Sequence, residues 1–307
     1  MTTQNTRAGF VAIVGAPNAG KSTLVNAMVG SKVSIVSPKV QTTRMRVIGI
    51  AMADLSDGAR AQVVLVDTPG IFRVAKRRLE RAMVAAAWRG AEDADVVALV
   101  VDAERGVGQE TRAIVERLKE SRAPRFLILN KIDVVDKTSL LALAQRANAR
   151  ATFAATFMVS ALTGDGVADL RTWLAAHAPV GPWHYPEDQM SDAPLRQLAA
   201  EITREKLYLR LHQELPYQST VETEVWKELR DGSVRIEQTI YVERDSQKKI
   251  VLGKGGQSIK AIGEAARREI AEIAEAPVHL FLFVKVREGW GDDPERYREI
   301  GLEFPKE

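Results

Sequence analysis

The sequence predicts an α/β domain, with a mostly parallel sheet and helices on both faces, followed by a smaller α+β domain. Over residues 1–178, short apolar runs typical of strands alternate with helical patterns, which indicates a parallel sheet covered on both faces. Three prolines within residues 179–186 then interrupt any helix and favour an extended connector. We therefore predict a first domain over 1–178, a linker over 179–192 and a second domain over 193–307.

The predicted elements of the first domain alternate in order along the chain. The strand-like runs lie at 9–14, 47–52, 61–66, 96–101, 125–129 and 156–160. The helical patterns lie near 21–30, 75–90, 108–121, 138–149 and 166–177. Because ligands of such sheets bind at the carboxyl ends of the strands, polar motifs that directly follow these runs are candidates for function.

The second domain shows a different order of elements. A helical pattern at 193–211 precedes two alternating runs, at 219–229 and 234–244, and between them Asp231-Gly232 is typical of a tight hairpin turn. Two helical stretches flank residues 253–256, and a last strand is predicted at 278–286.

Composition and charge limit the classes of protein. The 307 residues include no cysteine, which excludes disulfides and thiolate metal sites. The longest apolar runs have only strand length and the N-terminus lacks the apolar core of a secretory signal, so we expect a cytoplasmic protein. Residues 1–178 carry 24 Lys and Arg against 16 Asp and Glu, and the remainder carries 19 against 24. Within that acidic remainder, the basic residues between 244 and 268 indicate contact with an anion, or else a solvated helix face.

A phosphate-binding motif follows the first predicted strand. Residues 15–22 read Gly-Ala-Pro-Asn-Ala-Gly-Lys-Ser between the apolar run 10–14 and a helical pattern, which is the setting that this motif requires. Its backbone N–H groups can face one anion at a helix N-terminus, while Lys21 reaches the outer phosphates and the Ser22 hydroxyl faces Mg²⁺. A glycine-rich turn without a ligand is the alternative. The predicted binding residues are Gly15, Ala16, Pro17, Asn18, Ala19, Gly20, Lys21, Ser22 and Thr23.

Three further motifs follow later strands and favour guanine. Asp67-Thr68-Pro69-Gly70 can hold Mg²⁺ through water and bring the Gly70 N–H to a γ-phosphate. Asp133, at the end of Asn130-Lys131-Ile132-Asp133, can accept two hydrogen bonds from guanine that adenine cannot donate. Ser160-Ala161-Leu162 can present a backbone N–H to the guanine carbonyl oxygen. The sequence thus predicts GTP as the nucleotide, with an unrelated P-loop ATPase or kinase as the alternative.

With these motifs in order, the first domain resembles the small GTPases of translation. The resemblance implies a switch loop at Gln41, Thr42, Thr43, Arg44 and Met45. Thr43, or else Thr42, would complete the Mg²⁺ shell when GTP is bound; without the resemblance, both would be ordinary turn residues.

The resemblance also bears on catalysis. It implies that Asn18 helps to bind a K⁺ ion that neutralises transition-state charge, the alternative being a loop residue that tolerates unusual dihedral angles. Ile71 stands where many GTPases have a glutamine that orients the attacking water, so we predict slow intrinsic hydrolysis. The expected catalytic residues are Lys21, Thr43, Gly70 and Asn18.

The second domain resembles a type II KH domain, in which a hairpin precedes the two central helices. The resemblance rests on Gly253-Lys254-Gly255-Gly256 in this order of elements, since the loop alone would be a helix–helix turn. In KH domains such a loop clamps a single strand of about four nucleotides. The expected RNA-binding residues are Lys248, Lys249, Ile250, Val251, Gly253, Lys254, Gly255, Gly256, Ile259, Arg267 and Arg268.

Together the two domains resemble the Era family of bacterial GTPases from Ala8 to about Asp293. The resemblance implies a molecular switch that binds GTP or GDP with Mg²⁺ and K⁺. It also implies binding to the 3′ end of 16S rRNA, a role in assembly of the small (30S) ribosomal subunit, and peripheral contact with the inner face of the membrane. We expect a monomer. The alternatives are a constitutive RNA-binding module with a structural nucleotide, and a metabolic P-loop kinase, which Asp133 disfavours.

Overall fold

The computed structural model describes residues 6–39, 42–72, 75, 77–121, 123–211, 219–289, 293–299 and 301–305. These residues form two compact units. The first unit takes its described residues from Met1–Ser34, Thr43–Asp192 and Arg298–Glu307, and the second from Ile35–Thr42 and Ala193–Tyr297. No helix in the described ranges is long and apolar enough to cross a membrane.

The first unit is built on a six-stranded sheet. Its strands are β1 (Thr6–Gly15), β2 (Val47–Asp54), β3 (Arg60–Asp67), β4 (Val96–Asp102), β5 (Arg125–Asn130) and β6 (Thr156–Val159). Its helices are α1 (Lys21–Val29), α2 (Arg78–Glu92), α3 (Gln109–Leu118), α4 (Lys137–Asn148) and α5 (Val167–His177). The strand order is β2-β3-β1-β4-β5-β6, and only β2 runs antiparallel to its neighbour. The predicted mostly parallel α/β sheet is therefore confirmed.

Apolar cores cover this sheet on both faces. On one face, α1 and α5 contribute Leu24 and Leu170. On the other, α2, α3 and α4 contribute buried side chains that include Trp88, Ile114 and Leu143. Because both faces are buried, the central strands read as continuous apolar runs rather than as alternating sequences.

The second unit contains a three-stranded sheet and a group of helices. Its elements are α6 (Leu195–Arg210), β7 (Ser219–Glu228), β8 (Val234–Val242), α7 (Asp245–Leu252), α8 (Gln257–Ile273) and β9 (Val278–Val286). The short α9 (Pro294–Glu299) begins in the second unit and ends in the first. In the sheet order β7-β8-β9, β7 pairs antiparallel and β9 parallel with the central strand. The Asp231-Gly232 turn joins β7 to β8, as the sequence predicts.

Three segments belong to a different unit from the domain or linker that the sequence predicts for them. Residues 179–192, predicted as a linker, belong to the first unit because the Ala8 N–H bonds to the Pro179 carbonyl at 3.0 Å and the Ile50 N–H to the Met190 carbonyl at 2.8 Å. These bonds satisfy backbone groups of β1 and of the edge strand β2. The predicted second domain also extends too far, since Leu302 is 2% exposed within the first unit.

The third segment, Ile35–Thr42, belongs to the second unit. Ile35 is buried beside Leu198 and Ile202 of α6. Further contacts with α6 are polar, for the Val36 N–H donates to Glu205 Oε1 at 2.8 Å and Arg204 Nη2 donates to the Thr42 carbonyl at 2.5 Å. These described residues, which the sequence boundaries assign to the first domain, therefore pack against α6.

Candidate functional site

The phosphate-binding motif forms the turn between β1 and α1. Gly20, with a φ of 89°, immediately precedes the first residue of the helix, and Asn18 has a φ of 63°. A Cβ at Gly20 would overlap the side chain of Asn130, so glycine is required there for close approach as well as for its backbone conformation. The N-terminus of α1 thus opens onto the loop, an arrangement that suits an anion.

Lys21 lies beneath this loop. Its ammonium donates to the carbonyl oxygens of Gly15 at 3.2 Å and of Ala16 at 3.1 Å, and the residue is 6% exposed. Burial lowers the pKa of Lys21 to about 8, while the nearby Asp67 acts in the opposite direction. A bound phosphate would therefore meet a lysine whose charge it stabilises.

Three oxygen-bearing side chains converge beside Lys21. Ser22 Oγ donates to Asp67 Oδ2 at 2.6 Å and lies 2.8 Å from Thr43 Oγ1. Asp67 is fully buried, and burial raises its pKa although the neighbouring hydroxyls and Lys21 lower it. Its other oxygen, Oδ1, is buried and has no hydrogen-bond partner among the described residues. Hard oxygen ligands with one unsatisfied carboxylate oxygen fit Mg²⁺ and its water shell.

The structure distinguishes between the two threonines of the switch loop. Thr43, which is 8% exposed, is the one that reaches Ser22. The Thr42 hydroxyl instead lies 2.6 Å from Ser37 Oγ and donates to the Lys39 carbonyl. Arg44 and Met45 are buried, and Gln41 lies outside the described residues.

The region expected to bind guanine is held together by Asn130. Its Nδ2 donates to the Ala19 carbonyl at 2.9 Å, and its Oδ1 accepts from the Ala161 N–H at 3.0 Å. Asn130 is 1% exposed, so one amide links three motifs that are distant in the sequence. Asp133 is exposed in a 3₁₀ turn after β5, where its carboxylate is accessible to a base. The Leu162 side chain is 81% exposed, whereas Ser160 and Ala161 of the same motif are buried.

Gly70 and Ile71 lie against the phosphate-binding loop. A Cβ at Gly70 would come within 3.0 Å of Pro17, and the Ile71 N–H donates to the Gly15 carbonyl at 3.1 Å. The Ile71 side chain is 4% exposed and belongs to the core beside α2 and α3. Its apolar character therefore serves packing, and the side chain supplies no hydrogen bond to water.

The glycine-rich loop of the second unit joins α7 to α8. Gly253, Gly255 and Gly256 all have positive φ, between 59° and 78°. Within the described part of the chain, no atom lies within 4 Å of a Cβ added at Gly255 or Gly256, whereas one at Gly253 would lie 2.7 Å from Ser258 Cβ. Lys254 and Lys249 are exposed around the loop, so a backbone of negative charge can approach it closely.

The expected RNA-binding side chains divide into two groups. Ile250 is 54% exposed, and Arg267 and Arg268 are exposed on α8. Val251, by contrast, is fully buried in the core of the second unit. The prediction of Val251 as an RNA-binding side chain is wrong, because this side chain packs on the sheet strands β8 and β9. The other predicted residues are Lys248 and Ile259, both half-buried.

Comparison with known proteins identifies the family. Residues 10–131 match the family described as 50S ribosome-binding GTPases, and residues 214–291 match the KH domain family. The GTPase Era of Afipia carboxidovorans is 69% identical over 302 residues, which cover 98% of this chain and 96% of that protein. The chain belongs to the Era family of GTPases. The Era protein of Mesorhizobium japonicum is 67% identical over 303 residues, covering 99% of this chain and 96% of that protein.

Solved Era structures share the architecture. An Aquifex aeolicus Era variant bound to GDP and AlF₄⁻ gives a TM-score of 0.90 at 37% identity, over 96% of this chain and 99% of that chain. Era in complex with MgGDPNP and nucleotides 1506–1542 of 16S ribosomal RNA gives 0.89 at 37% identity, with the same coverage. The predicted P-loop GTPase domain followed by a KH domain is thereby confirmed.

Two side chains outside the predicted motifs contact candidate nucleotide-site residues of this Era family member. Asp102 is the last residue of β4, and its Oδ2 accepts a hydrogen bond from Lys131 Nζ at 2.5 Å. Like Asp67, it stands at the carboxyl end of a buried strand, and this position could have predicted a functional residue. Ser34 donates to Asp67 Oδ2 at 2.8 Å. A serine in a polar loop gives no such signal.

Proposed function

We propose that this protein is a GTP-hydrolysing switch that acts in assembly of the small ribosomal subunit by binding 16S rRNA near its 3′ end. The observation that carries the proposal is the convergence of Ser22, Thr43 and the buried Asp67 beside Lys21, in a chain that also contains an accessible KH loop. A metabolic kinase does not require a KH loop, and a simple RNA-binding module does not require Ser22, Thr43 and Asp67 beside Lys21.

In this proposal the first unit binds GTP with Mg²⁺. The backbone of residues 15–22 and Lys21 hold the phosphates, and Asp133 selects guanine. Ser22 and Thr43 would hold the metal directly, and Asp67 would hold it through water; the ion supplies charge neutralisation at the phosphates. The Gly70 N–H approaches the γ-phosphate. Because Ile71 cannot orient water, hydrolysis without a helper is slow.

We also propose that Asn18 binds K⁺. Its φ of 63° equally suits a loop residue chosen for that conformation, so the side chain must be tested by itself. Asn18→Gly keeps the backbone conformation accessible and removes only the amide. Hydrolysis that is faster in KCl than in NaCl at equal ionic strength, with the difference lost in Asn18→Gly, supports K⁺ binding. Equal rates in the two salts contradict it.

The rRNA target follows from full-length relatives rather than from the first unit alone. The match described as 50S ribosome-binding covers only residues 10–131, whereas the solved Era complex contains a 16S fragment and aligns with both units. We assign the RNA to the loop at 253–256 and the basic side chains near it. Cytoplasmic location, a monomeric state and peripheral membrane contact are proposed on the family resemblance, and light scattering and co-sedimentation with anionic vesicles test the last two.

The test uses the full chain and a fragment equivalent to nucleotides 1506–1542. Lys254→Glu reverses the charge at the tip of the KH loop, and Lys227→Glu makes the same change at an exposed position on β7. We expect Lys254→Glu to weaken RNA binding at fixed salt far more than Lys227→Glu does, with GTP binding unchanged in both. Lys21→Ala should abolish hydrolysis. If Lys21→Ala protein still supports subunit assembly, the nucleotide is structural and the alternative of a constitutive RNA-binding module holds.

A further inference from the structure

The loop that follows α1 is fixed by a single side chain. Asn26 Nδ2 donates to the Ser34 carbonyl at 2.7 Å. Asn26 Oδ1 accepts from the N–H groups of Val33 and Ser34, both at 2.9 Å. Three hydrogen bonds from one amide therefore place the backbone of Ser34 relative to the helix that begins with Lys21.

The Ser34 side chain in turn contacts Asp67. Its hydroxyl donates to Asp67 Oδ2 at 2.8 Å, and Ser34 is 2% exposed. Ser22 donates to the same oxygen at 2.6 Å, while no described group bonds to Oδ1. Two hydroxyls thus occupy one carboxylate oxygen and leave the other for a different partner.

These two donors differ in what else they can do. A Ser22 hydroxyl that ligates Mg²⁺ uses an oxygen lone pair, so its orientation is then constrained by the metal as well as by Asp67. Ser34 has no such competing role, because Asn26 fixes its backbone and its side chain bonds only to Asp67 among the described contacts. A carboxylate held by a fixed donor keeps one orientation about its Cβ–Cγ bond.

We propose that Ser34 is a positioning residue for the magnesium site: it holds Asp67 through Oδ2, so that Oδ1 stays available to the metal's water shell. The inference rests on the proposed GTPase function. It adds to the site a residue that no phosphate-binding or guanine-binding motif contains, and it makes Asn26 the anchor of that residue.

The experiment measures release of a fluorescent GDP analogue from the full chain over a range of Mg²⁺ concentrations and in EDTA. Ser34→Ala should raise the Mg²⁺ concentration for half-maximal retention of nucleotide about tenfold, the effect of losing one hydrogen bond to a charged group. Release in EDTA should be unchanged. Ser34→Cys fills the same space with a weak donor and should behave like Ser34→Ala, whereas Ser34→Thr keeps the hydroxyl and should restore the Mg²⁺ response.

A matched control is available in the second unit. Ser233 is 3% exposed, and its hydroxyl donates to Asp231 at 2.6 Å. Ser233→Ala should leave the Mg²⁺ response unchanged. The inference is overturned if Ser34→Ala and Ser34→Cys match wild type, or if they speed release equally with and without Mg²⁺, since Ser34 would then only shape the loop. Absence of Mg²⁺-dependent GDP binding in the wild type would instead overturn the proposed function itself.

Discussion

Asn130 offers a quantitative test of how the nucleotide site is assembled. Asn130→Ala removes the donor to the Ala19 carbonyl and the acceptor for the Ala161 N–H, at 2.9 and 3.0 Å. Ala19 is 1% and Ala161 8% exposed, so water cannot readily replace either bond. Each buried group left unpaired costs about 1–3 kcal/mol, so the two groups together give about 2–6 kcal/mol of unfolding free energy for the substitution. Asn130→Asp keeps the acceptor but buries a carboxylate against the Ala19 carbonyl oxygen, so it should lose at least as much stability as Asn130→Ala.

The assay is urea unfolding of the full chain followed by circular dichroism, using the transition that GDP shifts, because that transition reports the first unit. Asn148 provides the control, since it is exposed on α4 and its Nδ2 donates to the Ala144 carbonyl at the same 2.9 Å. Asn148→Ala should change the unfolding free energy by less than about 0.5 kcal/mol. If Asn130→Ala costs no more than Asn148→Ala, the linkage of the three motifs through Asn130 is refuted.

Four other substitutions or conditions test separate parts of the structure. Because burial lowers the pKa of Lys21 to about 8, the free protein loses this charge as the pH rises through 8. GDP affinity should therefore fall about tenfold from pH 7 to pH 9 but stay level from pH 6 to pH 7. A GDP affinity that does not change between pH 6 and pH 9 would contradict this. Asp133→Asn should exchange guanine for xanthine nucleotides in competition binding, because it replaces an acceptor of N–H groups by a donor to a carbonyl; retained GTP preference would place the base elsewhere. Gly253→Ala should weaken RNA binding more than Gly255→Ala does, because only the methyl group at Gly253 would overlap Ser258, at 2.7 Å. Equal losses of RNA affinity in filter binding would show that the positive φ of the glycines, and not this overlap, determines the effect. Leu302→Ala should destabilise the first unit by about 2–5 kcal/mol in the same urea assay, and an unchanged GDP-shifted transition would show that this residue does not pack there.

Much of the fold was predictable because its signals are local. The central strands are buried on both faces and read as uninterrupted apolar runs, and 96–101 matches β4 to within one residue. The phosphate-binding motif was predictable for a similar reason, since Gly20 and Lys21 act at the junction of one strand and one helix. Asp133 depends only on its place after β5.

The features that the sequence analysis missed depend on tertiary contacts. The prolines of 179–186 break a helix, but nothing in them shows that the backbone groups of β1 and β2 lie within bonding distance. Val251 lies next to exposed Ile250, and only the packing of α7 on the sheet decides which of the two is buried. Ser34 contacts Asp67 because Asn26 fixes the backbone of Ser34. The spacing of these three residues in the sequence follows no motif.

The switch proposed for this protein requires that nucleotide binding in the first unit controls RNA binding in the second. Its most direct test is the affinity of the full chain for the 16S fragment, measured at one salt concentration with a Mg²⁺-bound GTP analogue, with GDP and without nucleotide. We predict affinities that differ by about fivefold or more between the GTP-analogue and GDP forms, the usual lower range for coupled sites. The same affinity in all three states would contradict the claim and leave a protein that binds GTP and RNA independently.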